Sequence, residues 1–152
     1  EIKKNNIWFG VNGDNVPRKK KFLFDSKVGI VPETLWNVEF AGSTKDGKQE
    51  LLNLDIYDEH IFDTPKPEKL ISNILKIATN ENDLVLDCFL GSGTSSAVAH
   101  KLGRNYIGIE IDENTFKYAN KRMESVCKGD SVGISSDIDW DGGGDYLIYN
   151  WN

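Results

Sequence analysis

Leu84-Val85-Leu86-Asp87-Cys88-Phe89-Leu90-Gly91-Ser92-Gly93-Thr94 is the stretch that decides the reading of this chain. Three apolar residues lead to an acid, an aromatic and a Gly-x-Gly turn, and helix-start residues follow. This is the pattern of a strand that ends in a tight loop against a nucleoside ligand. Glycines at 91 and 93 let the backbone turn sharply and approach a ligand without a Cβ clash. A helix beginning near Thr94 points its free N–H groups at the same place. Glu110 ends the next apolar run, 19 residues past Gly91, close to where such folds place a ribose-binding carboxylate.

The flanking sequence supplies the frame. Thr64-Pro65-Lys66-Pro67-Glu68 reads as a helix start, because prolines are tolerated only in a first turn and an acid suits that end. Leu70, Ile71, Ile74, Leu75 and Ala78 then recur at helical spacing. Leu84 to Asp87 reads as a short strand buried on both faces. Thr94 is expected to cap a helix carrying Val98 and Leu102 and stopped by Gly103. Asn105 to Ile111 reads as a second strand, and Asp112 and Glu113 open a helix with Phe116, Ala119, Met123 and Val126 inward. The order helix, strand, helix, strand, helix predicts an α/β fold: a partial Rossmann-like arrangement of parallel strands with crossover helices. Two strands are too few for a free-standing doubly wound sheet, so a further part is expected to complete it.

Residues 1–60 read as short strands and loops with at most one short helix, and with turns at Asn12 to Asn15 and Lys45 to Lys48. Residues 61–128 hold the α/β portion. Residues 129–152 form an acidic, glycine-rich loop whose end, Asp145 to Trp151, reads as a strand.

The 152 residues carry a formal net charge of −6, with 39% hydrophobic and 28% charged residues, as in a soluble globular chain. No apolar run approaches the ~20 residues that span a bilayer, and no signal peptide is visible. The acidic balance argues against a self-sufficient DNA-binding domain. Arg18-Lys19-Lys20-Lys21 is the local exception, readable as a solvated charge run or as a phosphate contact. Cys88 and Cys127 with His60 and His100 contain no close pair and make no zinc site. Asp137-Ile138-Asp139-Trp140-Asp141-Gly142 imitates half a calcium loop, but Ile148 stands where the bidentate glutamate belongs, which favours an acidic turn.

The loop chemistry narrows the ligand. A dinucleotide site needs Gly or Ala at the third motif position, and Ser96 stands there. Asp87 would also face a pyrophosphate with a negative charge. An acid there suits an ammonium group and hydroxyls, which S-adenosylmethionine offers together with its sulfonium. A nicotinamide-dependent fold and a non-catalytic binding module are the rival readings.

Phe62 to Glu68, Asp87 to Thr94 and Tyr106-Ile107-Gly108-Ile109-Glu110-Ile111-Asp112 resemble, in order and at family spacing, the DNA methyltransferases that act on adenine N6 or cytosine N4. The resemblance implies an S-adenosyl-L-methionine cofactor. It implies that Thr64 and Lys66 border its methionine end, that Asp87, Phe89, Gly91, Ser92, Gly93 and Thr94 form the cofactor loop, and that Glu110 binds ribose. Trp8 to Gly13, Val16-Pro17-Arg18, Val31 to Trp36 and Gly142-Gly143-Gly144 resemble, less specifically, the modification subunits of type III restriction systems. That implies a bacterial cytoplasmic enzyme acting on adenine in double-stranded DNA, with a restriction subunit and a second modification subunit as partners. It also brings Arg18 to Lys21 near DNA.

Amino methylation in this family depends on an Asp/Asn/Ser-Pro-Pro-aromatic tetrapeptide that holds the target amine in line with the methyl group and stacks on the flipped base. Pro17, Pro32, Pro65 and Pro67 are the only prolines, and no two are adjacent. No catalytic residue is therefore assigned. The expectation is a C-terminal portion of a longer enzyme in the permuted order, carrying most of the cofactor pocket and no transfer activity alone.

Overall fold

The computed structural model describes residues 5–25, 29, 31–54 and 62–150. His60 and Trp151, named above, lie outside them. The chain divides into two units, Glu1–Thr34 and Leu35–Asn152.

In the first unit, β1 (Ile7–Trp8) pairs antiparallel with β2 (Arg18–Lys19). The expected turn at Asn12 to Asn15 joins them, helped by positive φ at Gly10 and Gly13. The basic run therefore starts on a hairpin strand. Lys20 continues the pairing through its N–H to the Asn6 carbonyl, and its ammonium reaches the Asn5 side chain at 2.7 Å.

The second unit opens with two helices where at most one was expected: α1 (Val38–Ala41) and α2 (Thr44–Asn53). The turn expected at Lys45 to Lys48 lies inside α2. Ser43 and Asp46 form a reciprocal capping box that starts the helix despite its glycine. Gly47 is needed for packing, since a Cβ there would sit 2.5 Å from the Pro65 carbonyl oxygen.

α3 (Glu68–Ala78), β3 (Leu84–Asp87), α4 (Thr94–Lys101), β4 (Asn105–Gly108) and α5 (Glu113–Lys128) follow in the predicted order. β3 and β4 pair in parallel, Leu84 opposite Asn105 through Asp87 opposite Gly108. This is a partial Rossmann-like α/β fold. The pairing runs past both strands, with Ile109 N–H on the Asp87 carbonyl at 2.8 Å and Leu90 N–H on the Ile109 carbonyl at 2.9 Å. Those bonds hold the ends of the two acid-bearing segments side by side.

One sheet face is covered. Val85 and Tyr106 pack with Ile71, Leu75, Val98 and Ile134, while Ala97, Met123 and Val126 join α4 to α5. The expectation that β3 is buried on both faces is not met: Leu84 and Leu86 are each 62% exposed. Ile107 and Ile109 are also exposed. The helices that pack with the sheet meet the Val85–Tyr106 face, and no described residue closes over the other.

The end of the chain also departs from expectation. Residues 138–150 hold no strand. They are tied to α4 and α5 by side chains and by one backbone bond, from the Gly143 N–H to the Cys127 carbonyl at 2.9 Å, and not by a ladder. Trp140 donates its indole N–H to the Val126 carbonyl at 2.9 Å, His100 Nε2 meets the Gly143 carbonyl at 2.8 Å, and Tyr146 bonds Asn120 at 2.7 Å. Among the described residues no group of acids, histidines or cysteines is gathered as a metal site.

A buried ionic cluster joins these elements. Lys101 meets both Glu68 oxygens at 3.0 and 2.9 Å, Asp130 at 2.9 Å and the Val132 carbonyl at 3.1 Å. Glu50 of α2 accepts the Glu68 N–H at 3.1 and 3.0 Å, capping α3, whose own N-cap Pro67 offers no side-chain acceptor. Burial, and then the nearby Glu68 carboxylate, push the Glu50 carboxyl up from 4.5 to about 7.

The folded state holds the Glu50 proton more tightly than the unfolded chain, so the stabilisation is complete below about pH 4.5 and is lost as pH rises through about 7. Glu50→Gln keeps an acceptor for the Glu68 N–H and removes the titration. Urea unfolding of this variant should lack that loss between pH 5 and 8, a difference of at most about 3 kcal/mol. Identical pH profiles for the two proteins would show that Glu50 is not the group responsible.

Candidate functional site

The site forms where both parallel strands end and α4 begins. Asp87 closes β3 and turns its carboxylate into the loop, accepting the Phe89 N–H at 3.0 Å and the Ser95 hydroxyl at 2.5 Å. Phe89 points outward, 88% exposed. Gly91 has φ +57° and a Cβ there would approach the Phe62 ring at 3.2 Å. Ser92 and Thr94 are buried, with hydroxyls 3.4 Å apart.

Glu110 bridges the two strand ends. Its Oε2 accepts the Gly91 N–H at 2.8 Å, and its Oε1 accepts those of Ile111 and Asp112 at 3.0 and 3.1 Å. A carboxylate has about four acceptor positions, so three backbone bonds orient it and leave room for one further donor. Asp112 then caps α5 by accepting the Thr115 N–H at 2.8 Å and its hydroxyl at 2.6 Å. The Thr115 hydroxyl and N–H hold the Asp112 carboxyl below its usual value.

Thr94 does not cap α4, as the sequence reading expected. Gly93 is the N-cap, in the left-handed region with φ +80°, and no side chain closes this end. Thr94 is the first helical residue. Its hydroxyl donates to the Lys66 carbonyl at 3.2 Å and accepts from Arg122 at 2.6 Å. The free N–H groups of α4 therefore remain at the loop, a favourable place for a polar ligand group. Lys66 is brought to the loop by its backbone. Thr64 lies two residues before it and is exposed.

Gly93 also sets the distance to α5. A Cβ at this position would lie 2.8 Å from Ala119 Cα, a backbone atom that cannot swing away. Gly93→Ala combines that overlap with a left-handed backbone. It should cost about 2–4 kcal/mol, measured by denaturant unfolding. A loss below about 1 kcal/mol would mean that the loop and α5 separate easily.

Ser96 stands at the third glycine position of the loop motif. The close approach of α4 to the sheet is supplied from the strand side: a Cβ on Gly108 would meet Leu90 at 2.7 Å and the Ser96 hydroxyl at 3.1 Å. Because Gly108 gives way, the helix side can carry Ser96.

The geometry joins Asp87, Gly91, Ser92, Gly93, Thr94, Glu110 and the Lys66 backbone around one loop. Arg18 to Lys21 belong to the first unit and are described only there. The sequence reading missed Ser95 and Arg122. Ser95 looks like one of several small residues in a helix start, and Arg122 like one more surface cation in a charged helix.

The sequence profile of the N6/N4 methyltransferases, described as DNA methylase, matches residues 3–121. The chain belongs to this DNA methylase family. A protein named "Probable type III restriction-modification enzyme HindVI Mod subunit", from Haemophilus influenzae, is 36% identical over 133 residues, 87% of this chain and 16% of that protein. The type III restriction-modification enzyme StyLTI Mod subunit of Salmonella typhimurium is 35% identical over 118 residues, 74% of this chain and 17% of that protein. The type II methyltransferase M1.MboII of Moraxella bovis is 54% identical over 57 residues, 38% of this chain and 22% of that protein. The crystal structure of the M1.HpyAVI–SAM complex is 45% identical, with a TM-score of 0.40, over 41% of this chain and 30% of that one. This DNA methylase chain thus spans about a sixth of the length of the two Mod subunits.

Proposed function

We propose that this chain is the S-adenosylmethionine-binding portion of a site-specific DNA methyltransferase of the type III modification kind, which methylates adenine at N6. The observation that carries the reading is the placement of Glu110. Its carboxylate is locked by three backbone N–H groups across the ends of two parallel strands, beside a glycine loop and an uncapped helix N-terminus. In this family's chain, that constellation matches the chemistry of an amino-acid sulfonium nucleoside.

The residues fit the cofactor by donor and acceptor type. Glu110 accepts from one ribose hydroxyl with its remaining acceptor position. Asp87, Gly91, Ser92, Gly93 and Thr94 line the cofactor loop, with Asp87 suited to the ammonium group and the free α4 N–H groups to the carboxylate. Thr64 and Lys66 close the methionine side. Phe89 offers an exposed aromatic face. The cofactor supplies an electrophilic methyl group on its sulfonium. The target amine is presented by a Pro-Pro-aromatic tetrapeptide that is not among these 152 residues, so this chain alone binds the donor and transfers nothing.

Arg18 to Lys21 contact DNA phosphates in the intact enzyme, which acts on double-stranded DNA in the bacterial cytoplasm with a restriction subunit and a second Mod copy as partners. No helix among the described residues is long and apolar enough to cross a membrane.

Thermal unfolding with added nucleotides tests the binding claim. At a hundred times its dissociation constant, S-adenosylmethionine should stabilise the chain by about 2.7 kcal/mol and raise Tm by roughly 5–10 °C. NAD should leave Tm unchanged. Stabilisation by NAD and none by S-adenosylmethionine would overturn the reading.

A further inference from the structure

Arg122 is fully buried on α5 and, among the described residues, makes one hydrogen bond, from its Nη1 to the Thr94 hydroxyl at 2.6 Å. Its Nε and Nη2 are buried with no hydrogen-bond partner among the described residues. Burial alone pulls the guanidinium below its ordinary pKa, while the charges of Glu68, Glu50 and Asp130 act in the opposite sense. A cation also sits unfavourably near a helix N-terminus, where the dipole is positive. As a stabilising element the residue is a poor choice, because an apolar side chain of similar shape would avoid the desolvation.

What the arrangement does provide is direction. A threonine hydroxyl has one proton. Because Thr94 donates it to the Lys66 carbonyl, its oxygen is left to accept from Arg122. The three groups form a one-way chain from α5, through the first residue of α4, to the backbone of the segment before α3.

We infer that Arg122 is a positioning residue, which sets the spacing between the loop at 91–94 and the segment at 64–66 through the Thr94 hydroxyl. The inference rests on the proposal above that these two segments grip opposite ends of one ligand. Arg122 touches no ligand itself. It acts by fixing Thr94, and through Thr94 the Lys66 carbonyl.

A double-mutant cycle in the 152-residue chain tests it, with two readouts: S-adenosylmethionine affinity by calorimetry, and amide exchange at residues 91–95 and at Thr64 and Lys66. Arg122→Lys keeps the buried charge for Glu68 and Glu50 but shortens the reach to Thr94. It should weaken binding about ten-fold and speed exchange in both segments while α5 stays protected. Thr94→Val should loosen the same amides, and Thr94→Ser, which restores the hydroxyl, should return both readouts to within about three-fold of the parent. Combining Arg122→Lys with Thr94→Val should add little to either single change. Effects that multiply, or unchanged exchange in Thr94→Val, would overturn the inference. If the parent chain binds no S-adenosylmethionine, the function proposal fails, and the exchange readout alone then decides the role of Arg122.

Discussion

Replacing Glu110 with alanine should weaken S-adenosylmethionine binding by about a hundred-fold, and replacing Asp87 about ten-fold. Each change removes charge-assisted hydrogen bonds worth roughly 1.5–3 kcal/mol apiece. The two differ because their existing bonds differ. Asp87 accepts one N–H from its own loop and one hydroxyl from the first turn of α4. Glu110 ties Gly91 of one strand-end to Ile111 and Asp112 of the other. Its loss removes a ligand acceptor and also frees the Gly91 N–H that fixes the loop. Glu110→Gln separates these contributions: the amide keeps one oxygen for the backbone and turns an NH2 group toward the remaining N–H donors, so an intermediate loss is expected. Titration calorimetry measures all three variants. Parent-like affinity in both alanine variants would remove these residues from the site.

Lys101→Met should destabilise the second unit by about 3–5 kcal/mol. Lys101 is fully buried between Glu68 and Asp130 and also bonds the Val132 carbonyl. Removing it strands two carboxylates away from water, and the cost is their uncompensated charge more than the lost attraction. The same cluster anchors the segment after α5, since Glu68 accepts the Ile134 N–H at 3.2 Å and Asp130 accepts the Ser135 hydroxyl at 2.6 Å. The variant should therefore also release that segment to proteolysis. Because the pair is buried, its contribution should change little with added salt, unlike that of an exposed pair. Denaturant unfolding at low and high salt gives both quantities, and a loss below 1 kcal/mol would mean that water reaches the cluster.

Much of the second unit was legible because its signals are local. The runs at Leu84 to Asp87 and Asn105 to Ile111 are bounded by turn residues, and Gly103 and Asp112 punctuate helices in the expected way. The acids at 87 and 110 could be placed because strand-end positions follow from strand boundaries. What escaped depends on partners distant in sequence. Lys45 to Lys48 looks like a turn until Ser43 and Asp46 cap each other, and Gly47 is required by Pro65, 18 positions away.

Lys101 and Arg122 carry the composition of solvated helix faces, and only the packing of α3, α4 and α5 shows them buried. The apolar, aromatic run at Asp145 to Tyr149 has strand-like composition, but Tyr146 spends its hydroxyl on Asn120 and the backbone finds no ladder. The open face at Leu84, Leu86, Ile107 and Ile109 was misread for a related reason. Apolar residues on both sides of a strand show that a cover is needed and not where it comes from. Such a face favours self-association.

S-adenosylmethionine is proposed to be held at the ends of these two strands. Amide chemical-shift mapping of the 15N-labelled chain during titration with the cofactor tests it residue by residue. Saturable shifts are expected, confined to Asp87–Thr94, Glu110–Asp112 and the Lys66 segment, with the Gly91 amide among the largest because it already bonds Glu110. No shift at saturating cofactor, or shifts centred elsewhere in the second unit, would contradict it.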